Sequence, residues 1–131
     1  MIKRKRHIYL CYDYKNDERL KNTVIEYTNS GTSLLKVTDY SQAQRLGQKD
    51  WEENMKTRFA VLDAVVILLG EQTYRAPNVI EETEIAYKLE LPIVQFNISR
   101  HGTRRGLVNG GSIVKWDWEI LQKKILIMVP Y

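Results

Sequence analysis

Three glutamates stand close together in the segment Val79-Ile80-Glu81-Glu82-Thr83-Glu84-Ile85-Ala86-Tyr87-Lys88-Leu89. At about 100° per residue, a helical period separates them. Val79, Ile80, Ala86, Tyr87 and Leu89 cluster around the direction of Val79. Glu81, Glu84 and Lys88 fall on the far side, where Glu84 and Lys88 make a favourable surface pair. Glu82 lies roughly 60° from Val79, on the border of the buried face. A carboxylate placed there is partly desolvated and sits near the amino-terminal end of its helix. It is either a boundary glutamate satisfied by a neighbouring amide or arginine, or a functional carboxylate, and the spacing alone leaves both readings open.

Other polar groups gather where apolar runs end. Tyr12-Asp13-Tyr14-Lys15 follows the first such run, Asp39-Tyr40-Ser41 ends the second, and Thr73 comes soon after the third. A phospho-acceptor receiver domain also keeps aspartates at strand ends, but it needs one at the end of the third strand, where this chain has Gly70. No G-x-G-x-x-G or G-x-x-x-x-G-K phosphate cradle is present, and no serine-hydrolase elbow. Two histidines and the single cysteine, Cys11, cannot build a usual structural zinc site, so no metal is expected, and one cysteine excludes an internal disulfide.

The elements that must position these groups follow from hydrophobic patterning. His7 to Tyr12 reads as a first strand. Asn16 is the expected N-cap of a helix with Leu20, Val24 and Tyr27 on one side, ended by Ser30-Gly31. Leu34 to Asp39 is a second strand. Gln42 to Lys49 reads as a mobile loop, and Asp50 as the cap of a helix carrying Trp51, Met55, Phe59 (or Arg58) and Leu62. Ala64 to Leu69 is apolar at every position, as in a central parallel strand covered on both faces. Pro77 precedes a helix from about Asn78 to Leu89. Leu91 to Phe96 and Ile113 to Trp116 are the remaining strands. A last helix runs from Trp118 to Val129, with Ile120, Leu121, Ile125 and Met128 on its buried side.

Strands alternating with helices imply right-handed crossovers, hence an α/β fold: a flavodoxin-like three-layer sandwich around a five-stranded parallel sheet. Ligands of such sheets bind outside the carboxyl ends of the strands, where the winding reverses. That places the candidate loops at 12–15, 39–48, 70–78 and 97–111.

With 131 residues, 44% apolar and 27% charged, the chain reads as one domain over residues 1–131 with a real core, residues 1–5 forming a disordered basic leader. The longest uninterrupted apolar stretch, Ala64 to Leu69, falls far short of the roughly 20 residues a membrane span needs. A cytoplasmic location is expected. The net charge of +4 gathers at Lys3 to Arg6 and at Arg100 to Arg105. Neither cluster is interleaved with stacking aromatics, so a solvated leader and a solvated loop are favoured over phosphate contacts.

Taken in order, several short stretches resemble one family. These are Tyr9-Leu10-Cys11-Tyr12 with its polar turn, Val37-Thr38-Asp39-Tyr40-Ser41, Val65 to Gly70, Thr73-Tyr74, Val79-x-x-Glu82-x-x-x-Ala86 and Leu91-Pro92-Ile93. Together, over about residues 6 to 125, they resemble the TIR-like domains that include the TIR subunit of bacterial Thoeris anti-phage defence. The resemblance implies cleavage of the nicotinamide–ribose bond of NAD+, as an NAD+ glycohydrolase or ADP-ribosyl cyclase, with NAD+ as substrate and no separate cofactor. By motif position the essential glutamate is Glu82. Tyr12, Asp13, Asp39, Tyr40, Ser41 and Thr73 would bind the substrate, and the loop Gln42 to Lys49 would cover it and mediate self-association. A signal molecule made from ADP-ribose would act on a separate effector protein. Where the family shows hydroxyl residues and a tryptophan ahead of the glutamate, this chain has Ala76-Pro77-Asn78-Val79-Ile80-Glu81. Glu81 therefore stays beside Glu82 as a candidate, the helical-face argument favouring Glu82. The alternative to an enzyme is a non-catalytic TIR-like scaffold acting by self-association.

Overall fold

The computed structural model describes residues 4–42, 48–97 and 105–130. Its elements are β1 (Arg6–Cys11), α1 (Glu18–Thr28), β2 (Leu35–Tyr40), α2 (Gln48–Phe59), β3 (Ala64–Leu69), a single 3-10 turn (Thr73–Arg75), α3 (Pro77–Lys88), β4 (Ile93–Asn97), β5 (Ser112–Lys115) and α4 (Trp118–Met128). The five strands form one sheet in the order β2-β1-β3-β4-β5, and all four neighbouring pairs are parallel. This is the flavodoxin-like order. After β2 the chain crosses back over β1, so the winding reverses between β1 and β3, and the crevice at their carboxyl ends is the expected ligand position.

Side-chain alternation divides the core in two. Tyr9, Cys11, Val65, Ile67 and Leu69 face α2 and α3, meeting Trp51, Met55, Phe59, Val79 and Ala86. Ile8, Leu10, Tyr12, Val66 and Leu68 face α1 and α4, meeting Val24, Leu121 and Ile125. Every residue of β3 is buried, which is why its run is apolar without alternation: both faces of a central parallel strand lie under helices.

Several boundaries depart from the sequence expectations. Asp17, not Asn16, precedes α1, because the Asn16 side chain donates to Asp13 Oδ2 at 2.7 Å instead of capping the helix. Helix α2 begins at Gln48, which puts Asp50 inside its first turn, where the helix dipole favours an acid. The rest of the expected loop, residues 43–47, lies outside the described residues, as do most of Arg100 to Arg105. In α4 the buried residues are Leu121, Gln122 and Ile125, whereas Ile120 is exposed and Met128 only partly buried. Gln122 goes inward because its Oε1 accepts the Leu34 amide at 2.7 Å.

Two arginines of the basic cluster at the start of the chain are engaged internally. Arg4 pairs with Asp63 at 2.8 Å. The Arg6 guanidinium is buried and donates to the carbonyl of Val129 at 2.8 Å, just past the end of α4. No helix among the described residues is long and apolar enough to cross a membrane.

Candidate functional site

Helix α3 begins beside the carboxyl ends of the strands, with Pro77 in its first turn, where a missing amide hydrogen costs nothing. Its buried face carries Val79, Glu82, Thr83 and Ala86, at positions i, i+3, i+4 and i+7. Ile80, Tyr87 and Leu89, which the apolar pattern assigns to that face, are exposed. Glu82 therefore sits within the buried face, only 2% exposed, rather than on its border.

A carboxylate placed so deeply needs donors, and three side chains supply them. The Tyr9 hydroxyl donates to Oε1 in a short hydrogen bond. The Ser41 hydroxyl donates to the same oxygen at 2.7 Å, and Asn78 Nδ2 donates to Oε2 at 3.0 Å. These come from β1, from the residue just after β2, and from one turn earlier on α3. The same groups knit the strand ends together: Asn78 Nδ2 also reaches the Tyr12 carbonyl at 2.9 Å, and Ser41 Oγ accepts the Tyr12 amide at 3.1 Å.

Burial raises the Glu82 pKa to about 7, against the opposing pull of the Tyr9, Ser41 and Asn78 hydrogen bonds and of Arg58. Burial, together with the charge of Glu82, lifts the Tyr9 phenol well above its ordinary range. Tyr9 therefore remains a donor throughout the physiological range. Arg58 of α2 lies 5.6 Å from the centre of the Tyr9 ring and pairs with Asp39 through Nε, at 2.5 Å, and Nη2, at 2.6 Å. This row of Asp39, Arg58, Tyr9 and Glu82 runs from the edge of the sheet into the core.

Two cavities open over the strand ends. A cleft of about 380 Å³ is bordered by Asp13, Tyr14, Trp51, Arg75, Asn78 and Glu81, among others. A neighbouring cavity of about 290 Å³ is bordered by Tyr12, Lys21, Tyr40 and Ser41. Tyr14 and Gln42 line both. Glu82 lines neither, but Asn78 and Ser41, which hold its two oxygens, stand in the walls.

The structure thus brings Tyr12, Asp13, Tyr40 and Ser41 to the cavity rims. Asp39 is instead engaged by Arg58. Thr73 is fully buried and lines neither cavity. Its hydroxyl accepts the Gly70 amide at 2.8 Å and lies 3.1 Å from Asp17 Oδ2, so it braces the turn after β3. Glu81 is half-buried and borders the cleft.

Sequence reasoning missed Tyr9, Trp51, Asn78 and Lys21 as site residues. Asn78 was findable, since the i, i+4 spacing to Glu82 places the two side chains together. So was Tyr9, which shares strand parity with Cys11. Trp51 reads as an ordinary core residue, and only the packing of α2 against α3 turns it toward the cleft. No group of three or more His, Cys, Asp or Glu able to hold a metal ion occurs among the described residues.

The model of the family described as Thoeris protein ThsB, TIR-like domain, matches residues 9–103, well over half of the chain. That span runs from Tyr9 through the end of β4 and includes Ser41, Asn78 and Glu82. No curated protein matches the chain.

Proposed function

Because the chain belongs to the family of Thoeris ThsB TIR-like domains, we propose that it cleaves the nicotinamide–ribose bond of NAD+, with Glu82 as the acting carboxylate. The ADP-ribose moiety would pass on as a signal molecule in bacterial anti-phage defence, read by a separate effector protein in the cytoplasm. The observation that supports this reading is the Glu82 carboxylate itself: buried, held by three side-chain donors, and set beneath the crevice where the winding reverses.

The chemistry asks little more of the protein. When the bond from ribose C1′ to the pyridinium nitrogen breaks, its electron pair goes to that nitrogen and nicotinamide leaves neutral, with no acid needed. The ribose becomes oxocarbenium-like, and a fixed carboxylate stabilises the growing positive charge and orients the ribose hydroxyls. Water then adds at C1′ and loses a proton to give ADP-ribose, or an internal nucleophile closes a ring. In this mechanism the Asn78 amide, which stands between Glu82 and the cleft, gives way to the ribose. Trp51 provides the aromatic wall that the segment before the glutamate lacks.

Nicotinamide release from NAD+, followed by mass spectrometry, tests the reading. Wild type should release it, and Glu82→Gln should lose the activity while keeping the fold. Glu81→Gln should retain most of it. Only ionised Glu82 stabilises a cation, so the rate should rise with pH through about 7. A wild-type protein that leaves NAD+ intact at high concentration and in infected cells would refute it.

One observation favours the second reading, a scaffold acting by self-association: Glu82 lines no cavity, and all its contacts are internal. On that reading Glu82→Gln leaves signalling unchanged, and assembly of the domain rises with concentration without nucleotide turnover.

A further inference from the structure

The smaller cavity holds a cation in an uncommon state. Lys21, on α1, is 8% exposed. Its ammonium has one carboxylate nearby, Glu18, at 3.9 Å, beyond hydrogen-bond distance, and the Glu18 side chain is itself 70% exposed. Two aromatic rings also face it, Tyr40 at 4.6 Å and Tyr12 at 6.0 Å to the ring centres. A desolvated ammonium normally has an anion against it, since rings and a distant carboxylate do not replace its lost hydration. It points into a cavity large enough for a phosphate group or two, next to the larger cleft.

We propose that this cavity is a phosphate subsite in which Lys21, framed by Tyr12 and Tyr40, receives the diphosphate of a dinucleotide. The proposal rests on the reading of the chain as an NAD+-consuming domain. A lysine serves as a compact point charge for phosphate. The two rings add cation–π attraction that holds the ammonium in place. Position supports the assignment. Ser41 borders this cavity and donates to Glu82, while Tyr14 and Gln42 are shared with the cleft. A ligand with its phosphates over Lys21 therefore has its ribose within reach of the groups that hold Glu82. Glu18 acts as a loosely held place-keeper that the phosphate displaces.

The displaced carboxylate yields a test with opposite signs. Binding of ADP-ribose, and of inorganic pyrophosphate, is measured by calorimetry on wild type, Lys21→Met, Lys21→Arg and Glu18→Gln. Lys21→Met should weaken ADP-ribose roughly ten- to a hundredfold, the loss expected for one charge-assisted contact. Lys21→Arg should restore much of it, and Glu18→Gln should tighten binding. For NAD+ turnover, Lys21→Met should raise KM far more than it lowers kcat. A purely structural lysine would give the two substitutions the same sign.

Binding by Lys21→Met within twofold of wild type overturns the subsite, as does weaker binding by Glu18→Gln. Should Lys21→Met fail to fold, ADP-ribose titrated into wild type must shift the Tyr12 and Tyr40 ring resonances, and unshifted rings overturn it equally. The two readings separate cleanly. If NAD+ is cleaved with an unchanged KM in Lys21→Met, the subsite fails and the enzyme stands. If NAD+ is never cleaved yet ADP-ribose binds through Lys21, the subsite stands and the cleavage reading fails.

Discussion

Replacing Glu82 by Gln should change how the stability of this protein depends on pH, and the size of the change follows from its burial. An exposed glutamate titrates near 4.5, and burial carries Glu82 to about 7. The native state therefore binds this proton more tightly than the unfolded chain does. Stability from this group is fully present below 4.5, declines as pH rises, and is gone above 7. At about 1.36 kcal/mol per pH unit, the decline amounts to about 3 kcal/mol. Gln cannot titrate, so the variant should lack that slope. It carries a constant penalty instead, because its amide nitrogen faces the Asn78 amide where Oε2 accepted a hydrogen bond.

The comparison must therefore be of slopes. Urea unfolding of both proteins at several pH values from 4.5 to 8 supplies them. With an m-value of about 2 kcal/mol/M, the wild-type midpoint should fall by about 1.5 M more than that of Glu82→Gln. Parallel profiles would refute the reasoning, because they would mean that Glu82 is no harder to ionise in the folded protein than in the unfolded one. The same number carries a functional consequence. On the proposed mechanism, the ionised form of Glu82 that would act is also the form that costs the fold stability.

Two further substitutions probe what surrounds the carboxylate. Arg58→Met should cost about 1–3 kcal/mol by stranding the half-buried Asp39. It should also move the Glu82 titration above about 7, since Arg58 favours the ionised form, and the pH at which stability falls reads that shift. Gly111→Ala should cost at least about 2 kcal/mol in urea unfolding, because Gly111 has φ +79° and an added Cβ would stand 2.1 Å from the Ile93 carbonyl oxygen.

The misplacement of α3's face shows where reading from sequence stops. Ile80, Tyr87 and Leu89 count as apolar and pull the apparent face toward themselves, yet they are exposed. Glu82 and Thr83 count as polar and are buried. Hydrophobic periodicity assumes that every buried position is an apolar one. The assumption fails where distant strands offer donors, and Tyr9 and Ser41 lie 73 and 41 positions from Glu82. The same logic buried Gln122 in place of Ile120 on α4.

What the amino-acid order determined by itself was the architecture. The unbroken apolar run at 64–69 required a central strand under helices, and its alternation with amphipathic stretches required parallel crossovers and a crevice at the strand ends. That Glu82 lies nearer the buried face than Glu81 or Glu84 was also within reach of helical phase. Only the folded chain decided how deep that carboxylate lies, that Asp39 turns to Arg58 while Thr73 braces a turn, and that Lys21 is buried with the exposed Glu18 3.9 Å away. Burial and pairing are properties of groups brought together from remote positions, and no local spacing encodes the partners that a side chain will meet.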